Sequence, residues 1–485
     1  PNKGIRVRGS SIWAGFGALL ALLLQTGCES TTIGTPAVAV APSSDLERSA
    51  AYNGPDRNPV IVVPGFMGSR LTNREDGQLI WDGYNRTVMN PSSARGAQEL
   101  SFQINSDKPI RKMTDLVVAD GVLDKPEIGL AGLPPELQAH VRVMSVLQAG
   151  GYREQALLNT EESARGAFTC FQFPYDWRQD NIHNAKLLDE FIREKREYLQ
   201  REYKDRYGVD VPDLKFDIVT IGSGALLTRY FLRYGGTDVS ITGRLPIVTW
   251  AGVRSVGRVI LIAPPNGGYF QIFAGLLNGL NAGALGEIPA AVLGTMPGAY
   301  QLLPRSRHRS YYLQGDTQQP VTDILDAKLW QRMEWGLVSP AHEGMLARVL
   351  PDQPDYVQRL ALALEHQKKC LERAKYFQEA LDQEARTPLD LELRVVVGTD
   401  VPTIAAVAAD RRGHIEVLEV LPGDGLTTRG NALLDERRAD RWEPHLKSSI
   451  KWNQVSFTNQ SLQQIAASPM FSRNLLYWLM EEPRS

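Results

Sequence analysis

The chain has 485 residues, of which 43% are hydrophobic and 22% are charged, so a globular protein with a sizeable core is expected. Its net charge of -2 comes with no basic stripe, which argues against nucleic-acid binding. The three cysteines and the scattered histidines form no metal-type cluster and no dense disulfide framework, so we expect neither a metal site nor a cofactor.

Residues 1–28 have the pattern of a lipoprotein-type signal peptide. A basic start precedes an apolar run over residues 12–24, which is too short to span a membrane. The sequence Thr26-Gly27-Cys28 then follows, and it is similar to a bacterial lipoprotein cleavage site, where the cysteine is lipidated and becomes the new N-terminus. We expect an exported protein that is anchored to a membrane of the bacterial cell envelope through Cys28. The alternative is plain secretion with an unmodified Cys28.

Residues 29–57 are rich in Ser, Thr, Ala and Pro and lack periodicity, which predicts a flexible tether. The folded domain is expected over about residues 58–481. A continuous β-branched run predicts a strand buried on both faces at residues 59–63, and a second buried strand is predicted at residues 216–221. Further strands are predicted at residues 258–263 and 391–397, and residues 415–421 are a candidate for a fifth. Helices are predicted between them, at residues 185–206 and 225–234. Strands that alternate with helices predict an α/β fold, in which a mostly parallel sheet has helices on both faces.

Two segments of the domain are interpreted as insertions. Residues 72–165 are irregular and mixed in character. Residues 266–390 begin with a Gly- and Ala-rich apolar stretch, residues 270–296, and continue into a long polar helix over about residues 355–384. The apolar stretch has two interpretations, which are a lid beside an active-site edge and a buried helix pair with no gating role.

Six motifs follow one another along the chain. They are residues 59–69 with a strand and a Pro-Gly turn, residues 120–124 with 150–152, the Pro-Tyr-Asp-Trp-Arg motif at 174–178, residues 261–268, residues 299–304 and the Gly-Asp-Gly sequence at 423–425. In this order they resemble the motifs of the lecithin:cholesterol acyltransferase-like lipases. The resemblance covers about residues 58–481 and implies an α/β-hydrolase fold with an inserted cap or lid. It also implies a lipid or acyl ester as the ligand.

Ester hydrolysis by this fold needs a serine on a strand-to-helix turn, a histidine that accepts its proton and an acid that orients the histidine. The resemblance places the nucleophile position at Gly222, the base position at Asn459 and the acid position at Asp424. Glycine supplies no nucleophile, and asparagine cannot act as a general base near neutral pH. Only the acid is therefore retained. The backbone N–H groups of Phe66 and Ser223 are implied as the oxyanion-binding groups, beside Gly222.

Three functions are compatible with this pattern. The first is a pseudoenzyme that binds a lipid, an acyl chain or a partner protein without turning it over. The second is an active lipase or acyltransferase with a rearranged site, which uses Ser223 as the nucleophile and His445 as a substitute base. Against it, Ile221 stands two residues before Ser223, and a β-branched residue fits poorly in this crowded turn. The third is a partner-binding surface without a ligand pocket.

Two further expectations concern residues that the motifs bring together or leave apart. We expect Asp424 and Asn459 to approach each other near Gly222, where the asparagine amide donates a hydrogen bond to the aspartate. Cys170 and Cys370 lie in different segments, and their spacing does not say whether they pair. We expect that these two cysteines are not both required for folding.

Overall fold

The computed structural model describes residues 44–52, 54–82, 89–122, 132–155, 166–240, 242–437 and 443–482. The predicted signal peptide with Cys28, and the predicted tether as far as residue 43, lie outside the described residues. Among the residues that the structure describes, no helix is both long and apolar enough to cross a membrane.

The strands of the described residues fall into four sheets. In chain order the strands are β1 (Val60–Val63), β2 (Ser69–Asn73), β3 (Leu79–Trp81), β4 (Val117–Val122), β5 (Cys170–Gln172), β6 (Phe216–Ile221), β7 (Val256–Ile262), β8 (Leu280–Asn281), β9 (Glu287–Ile288), β10 (Tyr311–Leu313), β11 (Asp316–Pro320), β12 (Glu392–Gly398), β13 (Val401–Ala409), β14 (Ile415–Gly423) and β15 (Gln454–Thr458). Six of them form the central sheet, in the order β15-β12-β7-β6-β1-β5, and all neighbours in it run parallel. The smaller sheets are β11-β10-β13-β14, β3-β2-β4 and the pair β8-β9.

The helices mostly connect the strands of the central sheet. In chain order they are α1 (Ser44–Ala51), α2 (Ala94–Leu100), α3 (Pro135–Ala149), α4 (Asn181–Tyr207), α5 (Gly224–Tyr234), α6 (Phe270–Asn278), α7 (Ala290–Leu293), α8 (Pro297–Gln301), α9 (Ala327–Met333), α10 (Glu343–Val349), α11 (Tyr356–Asp382), α12 (Arg429–Leu433), α13 (Leu462–Ile465) and α14 (Pro469–Leu476). The helices predicted at residues 185–206, 225–234 and 355–384 correspond to α4, α5 and α11.

The ends of α4 coincide with its capping residues. The Asp180 carboxylate accepts a hydrogen bond from the backbone N–H of Ile182 at 3.1 Å, which satisfies a donor that the first turn leaves unpaired. At the other end Gly208 has a φ of +67°, a left-handed conformation that glycine adopts without a steric penalty. Between them Leu188 and Ile192 are fully buried at a spacing of four residues, so this face of α4 packs on the core.

The central sheet is covered by helices on both faces. Successive side chains of a strand point to opposite sides, so Val60 and Ile61 of β1 enter two different cores. Ile61 and Ile218 pack in the core that contains α4, α5 and α11. Val60 and Val219 pack in the other core, with α3 and α14. The predicted α/β architecture, with a mostly parallel sheet between two helical layers, is confirmed.

Part of the segment that was interpreted as an irregular insertion belongs to the core. Helix α3 lies inside residues 72–165, and its Val143 and Leu147 are completely buried against the sheet. The helix begins directly after Pro134, with Pro135 at its first position, where the missing N–H of proline costs nothing. Strand β4 of the same segment pairs antiparallel with β2, which ends at the start of the segment. Much of this segment is partly exposed, so its composition is mixed. The sequence pattern therefore does not reveal these strands and this helix.

The apolar stretch at residues 270–296 folds into α6, the β8–β9 pair and α7. Ile272, Phe273 and Leu276 of α6 are buried, and α6 packs against α7. This packing is that of a buried helix pair. The same stretch also forms one wall of the cavity described below.

The apolar run at residues 415–421 lies in another sheet than the one expected. It belongs to β14, which pairs antiparallel with β13 at the edge of the β11-β10-β13-β14 sheet. Val420 is 51% exposed and Leu421 is 43% exposed, so this run is not a buried strand. An apolar composition alone does not separate a buried strand from an exposed edge strand.

The two cysteines of the described residues are free and buried. Cys170 lies in β5 and Cys370 lies in α11. Burial raises the pKa of each thiol above its ordinary range. No disulfide therefore joins these two segments, and the fold is held by packing and hydrogen bonds there.

Candidate functional site

The turn between β6 and α5, which we call the elbow, consists of Gly222 and Ser223. Gly222 has a φ of +51°, and its N–H donates to the Ile262 carbonyl at 2.9 Å. This conformation favours glycine because an added Cβ would crowd the backbone. The predicted nucleophile position therefore lies on a sharp turn at the carboxyl end of a central strand, where open α/β sheets bind their ligands.

Ser223 is buried, and its hydroxyl is engaged by neighbours. The backbone N–H of Phe66 donates to Ser223 Oγ at 2.6 Å, and the Tyr175 phenol, which donates to the Pro64 carbonyl at 3.0 Å, adjoins the same hydroxyl. All seven histidines of the chain lie in the described residues, and none of them is hydrogen-bonded to Ser223. No histidine is therefore placed to activate this hydroxyl as a nucleophile.

The carboxylate of Glu136 occupies the space beside Gly222 where a side chain of residue 222 would stand. A Cβ added to Gly222 would lie 1.7 Å from Glu136 Oε1, and a Cβ added to Gly65 would lie 2.1 Å from Oε2. Glu136 is in the first turn of α3 and is buried. Two glycines thus make room for one carboxylate.

Hydrogen-bond donors of the elbow region hold this carboxylate. The backbone N–H of Ser223 donates to Oε1 at 2.9 Å, and the Tyr269 hydroxyl donates to the same atom at 2.6 Å. The backbone N–H of Phe66 also interacts with the carboxylate. Both backbone groups that the family resemblance implies as the oxyanion-binding groups therefore face Glu136. The chain's own carboxylate lies where such groups would hold the oxyanion of a reacting ester.

The surroundings of Glu136 disfavour its charge. Burial raises the pKa of Glu136 to about 7 from its ordinary value near 4.5, while the hydrogen bonds from Tyr269, Ser223 and Phe66 oppose that rise. The nearby charge of Asp424 adds to the rise. The carboxyl group is therefore close to half protonated at neutral pH.

Asp424, the predicted acid, follows β14 and lies close enough to Glu136 to influence its charge. Its Oδ1 accepts hydrogen bonds from the backbone N–H groups of Leu426 at 2.8 Å and Thr427 at 2.7 Å. Its Oδ2 is buried and has no partner among the described residues. Burial raises the pKa of Asp424 to about 6, and the backbone hydrogen bonds oppose the rise. The side chain is fixed in a tight turn of its own loop.

Asn459 and His445 do not complete a triad with Asp424. Asn459 is exposed on the loop after β15, and no hydrogen bond between its amide and Asp424 occurs in the described part of the chain. The expected hydrogen bond between the two is therefore not formed. Their loops do approach each other at Gly398, where an added Cβ would lie 2.6 Å from Asp424 Cβ and 3.0 Å from the Gln460 carbonyl oxygen. His445 is also exposed. It makes no hydrogen bond to a described residue of the elbow.

An apolar cavity of about 350 Å³ adjoins Glu136. It is lined by Phe66, Met67, Leu133, Pro134, Pro135, Glu136, Tyr269, Gln271, Ile272, Leu280, Asn281, Gly283 and Leu426. Its volume is at the lower end for a small-molecule site. A larger cavity of about 660 Å³ lies beside Arg307 and Glu436, but its walls are charged and include no elbow residue. Within the described residues, no cluster of His, Cys, Asp and Glu is placed to hold a metal ion.

Two buried arginines, one in the Pro-Tyr-Asp-Trp-Arg motif and one in the elbow helix α5, support the elbow region rather than lining the cavity. Arg178 is fully buried and donates to the carboxylates of Asp176 at 2.8 Å and Asp115 at 3.1 Å. Arg229 of α5 donates to Asn266 Oδ1 at 3.0 Å, which ties the elbow helix to the loop after β7. These motifs therefore have structural roles that do not depend on catalysis.

Glu136 and Tyr269 are the site residues that the sequence did not indicate. The Pro-Pro-Glu sequence at 134–136 is a helix-start signal, because proline suits the first helical position and an acidic residue suits the first turn. That signal predicts a helix, but it does not predict where the helix lies. Contact between Glu136 and Gly222 joins residues that are far apart in the chain, and no local pattern encodes it.

Comparison with known proteins supports the fold. No family model matches the sequence, and no curated protein matches it. Among solved structures, the chain is similar to a chain in the crystal structure of the Tle4–Tli4 complex, with a TM-score of 0.52 and 16% sequence identity. The match covers 88% of this chain and 99% of that chain. Similarity at this level of identity concerns architecture alone, and with the parallel sheet and the elbow it identifies an α/β-hydrolase fold.

Proposed function

We propose that this protein is a catalytically inactive relative of lipases, which binds an apolar ligand in the cavity beside Glu136 without hydrolysing it. One observation carries the proposal: the Glu136 carboxylate fills the position of the missing nucleophile and engages the N–H groups of Phe66 and Ser223. An ester carbonyl that entered the cavity would find these groups already occupied.

The missing chemical groups support the same proposal. Gly222 has no side-chain oxygen, and Asn459 is exposed and is not hydrogen-bonded to Asp424. Loss of a complete catalytic triad reduces turnover by about a million-fold in a well-studied protease. The resemblance to lecithin:cholesterol acyltransferase-like lipases then describes ancestry and ligand class rather than activity.

The apolar cavity gives the protein something to bind. Most of its walls are apolar, and Gln271, Asn281 and Glu136 supply polar groups. Pockets of this composition bind ligands with an apolar body and a small polar group. An acyl chain with a short polar end has that chemistry.

The alternative of an active enzyme that uses Ser223 has less support. Ser223 Oγ accepts the Phe66 N–H at 2.6 Å and has no histidine partner among the described residues, and burial raises the pKa of the neighbouring Tyr175 phenol above its usual range. A phenol of that kind is a poor base at neutral pH. A protein partner is a further alternative, and the similar chain belongs to a complex of Tle4 with Tli4.

Two assays test the proposal. Hydrolysis of short and long p-nitrophenyl esters by the purified protein is expected to equal the rate without protein, and Ser223→Ala is expected to change nothing. Activity that disappears in Ser223→Ala would refute the proposal. Binding of a fluorescent long-chain ester is expected to weaken at least tenfold in Gln271→Trp, which narrows the cavity, and to stay unchanged in Val357→Trp, an exposed position elsewhere. Equal binding by both variants would place the ligand outside this cavity.

Reconstruction of the triad provides a third test. The double variant Gly222→Ser/Asn459→His is expected to remain inactive, because Glu136 still occupies the space of the new serine. The triple variant that adds Glu136→Ala removes this obstacle. Ester hydrolysis by the double variant would contradict the assignment of Glu136 as the group that fills the site.

A further inference from the structure

Strand β14 presents an open edge with exposed apolar side chains on both faces. Val417, Leu418, Val420 and Leu421 are 41%, 37%, 51% and 43% exposed. Because neighbouring residues of a strand point to opposite faces, Val420 and Leu421 lie on different sides of the sheet. Strand β13, on the inner side, has buried residues from Ala406 to Ala409.

The edge is also open in its backbone. β14 is the last strand in the order β11-β10-β13-β14, and no strand of the described residues pairs with its outer side. Alternate backbone N–H and C=O groups of such a strand point away from the sheet and form a template for another strand. Soluble proteins usually protect such edges with charged side chains or proline, and β14 carries only Glu416 and Glu419 before Pro422.

Both ends of this edge are fixed in place. At the turn that joins β13 to β14, Asn278 Nδ2 donates to the Gly413 carbonyl at 2.9 Å, and the Trp335 indole donates to the Asp410 carbonyl at 2.7 Å. At the other end Gly423 leads directly into the buried Asp424. A strand held in this way is preorganised, so binding to it would require little further ordering.

The charged residues of β14 indicate what kind of strand could pair with its open edge. Glu416 and Glu419 are exposed and lie between the apolar residues of β14, and neither has an ion pair within the described part of the chain. A second copy of β14 would fit poorly, because residues 415–421 contain no basic side chain to face these carboxylates. A strand that carries lysine or arginine between apolar residues would satisfy both the carboxylates and the apolar surface.

The geometry points to a protein-docking site at which β14 adds an extended segment of a partner protein as a new strand, with basic side chains opposite Glu416 and Glu419. Backbone hydrogen bonds supply affinity in this mode of recognition, and the side chains supply specificity. The site is separate from the cavity beside Glu136, so it does not depend on the proposed apolar ligand.

Selection of peptides on the full-length protein tests this site. From a library of random nine-residue peptides, the protein is expected to select sequences in which two lysine or arginine residues stand three positions apart, as Glu416 and Glu419 do, with β-branched or aromatic residues between them. The selected peptides are expected to bind at least tenfold more weakly to Glu416→Lys/Glu419→Lys. Both positions are exposed, so this variant should fold normally. Val357→Thr, a change at a residue that is 69% exposed on α11, serves as the control and is expected to bind as the unmodified protein does.

Three outcomes would overturn the proposal. Selection of peptides without basic residues would remove the role of the two carboxylates. Equal binding by the charge-reversed variant would place the peptides elsewhere. Dimerisation through β14, detected by sedimentation and lost in Val420→Lys, would show that a second copy is the occupant instead. Failure of the ester-binding assay would leave this proposal unaffected.

Discussion

Serine at position 222 and the Glu136 carboxylate compete for the same space, so Gly222→Ser is expected to destabilise the protein and Glu136→Ala is expected to remove most of that cost. The Cβ of the new residue would lie 1.7 Å from Glu136 Oε1, far inside van der Waals contact. The whole Glu136 side chain must therefore leave its position, because its Cδ and Cγ would also lie within 2.9 Å of that Cβ.

Two costs make up the expected effect. A residue with a Cβ at a φ of +51° costs about 1 kcal/mol. Displacement of the carboxylate breaks its hydrogen bonds with Ser223 and Tyr269, each worth about 1.5–3 kcal/mol when the acceptor is charged. Release of the carboxyl group from its burial offsets part of this loss. We expect a total of about 3 kcal/mol for Gly222→Ser, and about 1 kcal/mol for the same change in the Glu136→Ala background.

Urea denaturation of the four proteins of this double-mutant cycle measures the coupling between the two positions. Gly208→Ser is a matched control, because Gly208 has a φ of +67° and a Cβ there would meet nothing within 4 Å. This variant measures only the cost of placing a side chain at a positive φ. A coupling of about 2 kcal/mol is expected between residues in contact. A coupling below about 0.5 kcal/mol would refute the placement of Glu136 beside Gly222.

Three further predictions concern charge and burial. Because the pKa of Glu136 is raised to about 7, the folded state binds this proton more tightly than the unfolded state, and stability should fall by up to about 3 kcal/mol as pH rises from 4.5 to 7. The urea midpoint should change less steeply with pH in Glu136→Gln than in the unmodified protein. An equal pH dependence in the two proteins would contradict the raised pKa of Glu136. Arg178→Ala should lower the free energy of unfolding by about 3–5 kcal/mol in the same assay, because it leaves two carboxylates without their buried partner. A loss below about 1 kcal/mol would show that water replaces the guanidinium. Cys170 and Cys370 should resist alkylation in the folded protein and react after unfolding without a reductant; peptide mass spectra that show them joined would disprove free thiols.

The central sheet could be predicted because its strands carry a signal of their own. Residues 216–221 form a short run that is mostly apolar and β-branched, and the whole of β6 is buried as such a run predicts. The same reasoning located β1, β7 and β12. It also located the turn at Gly222, since the turn follows directly from the end of a strand.

The exposed position of β14 and the place of the Glu136 carboxylate beside Gly222 could not be predicted in this way. The apolar residues of β14 have the composition of a core strand, and only the pairing order shows that they lie at an edge. Glu136 is 86 residues before Gly222 in the chain, and its contact with the elbow depends on how α3 packs against the sheet. Asn459 was placed beside Asp424 by motif order, which fixes the loops but not the direction of a side chain.

The steric relation between Gly222 and Glu136 changes how the missing nucleophile is understood. With glycine at 222, the backbone N–H groups that would hold an oxyanion stand in an apolar, buried space and require an acceptor. Glu136 supplies the acceptor for the Ser223 N–H from within the chain, while Ser223 Oγ accepts from the Phe66 N–H. The carboxylate fits only because residues 65 and 222 have no side chain. The two features therefore depend on each other: a serine would expel the carboxylate, and the carboxylate excludes a serine. Under the proposed function, the site is a rebuilt one in which an internal carboxyl group replaces the substrate's oxygen, and for that reason no single substitution restores a working hydrolase.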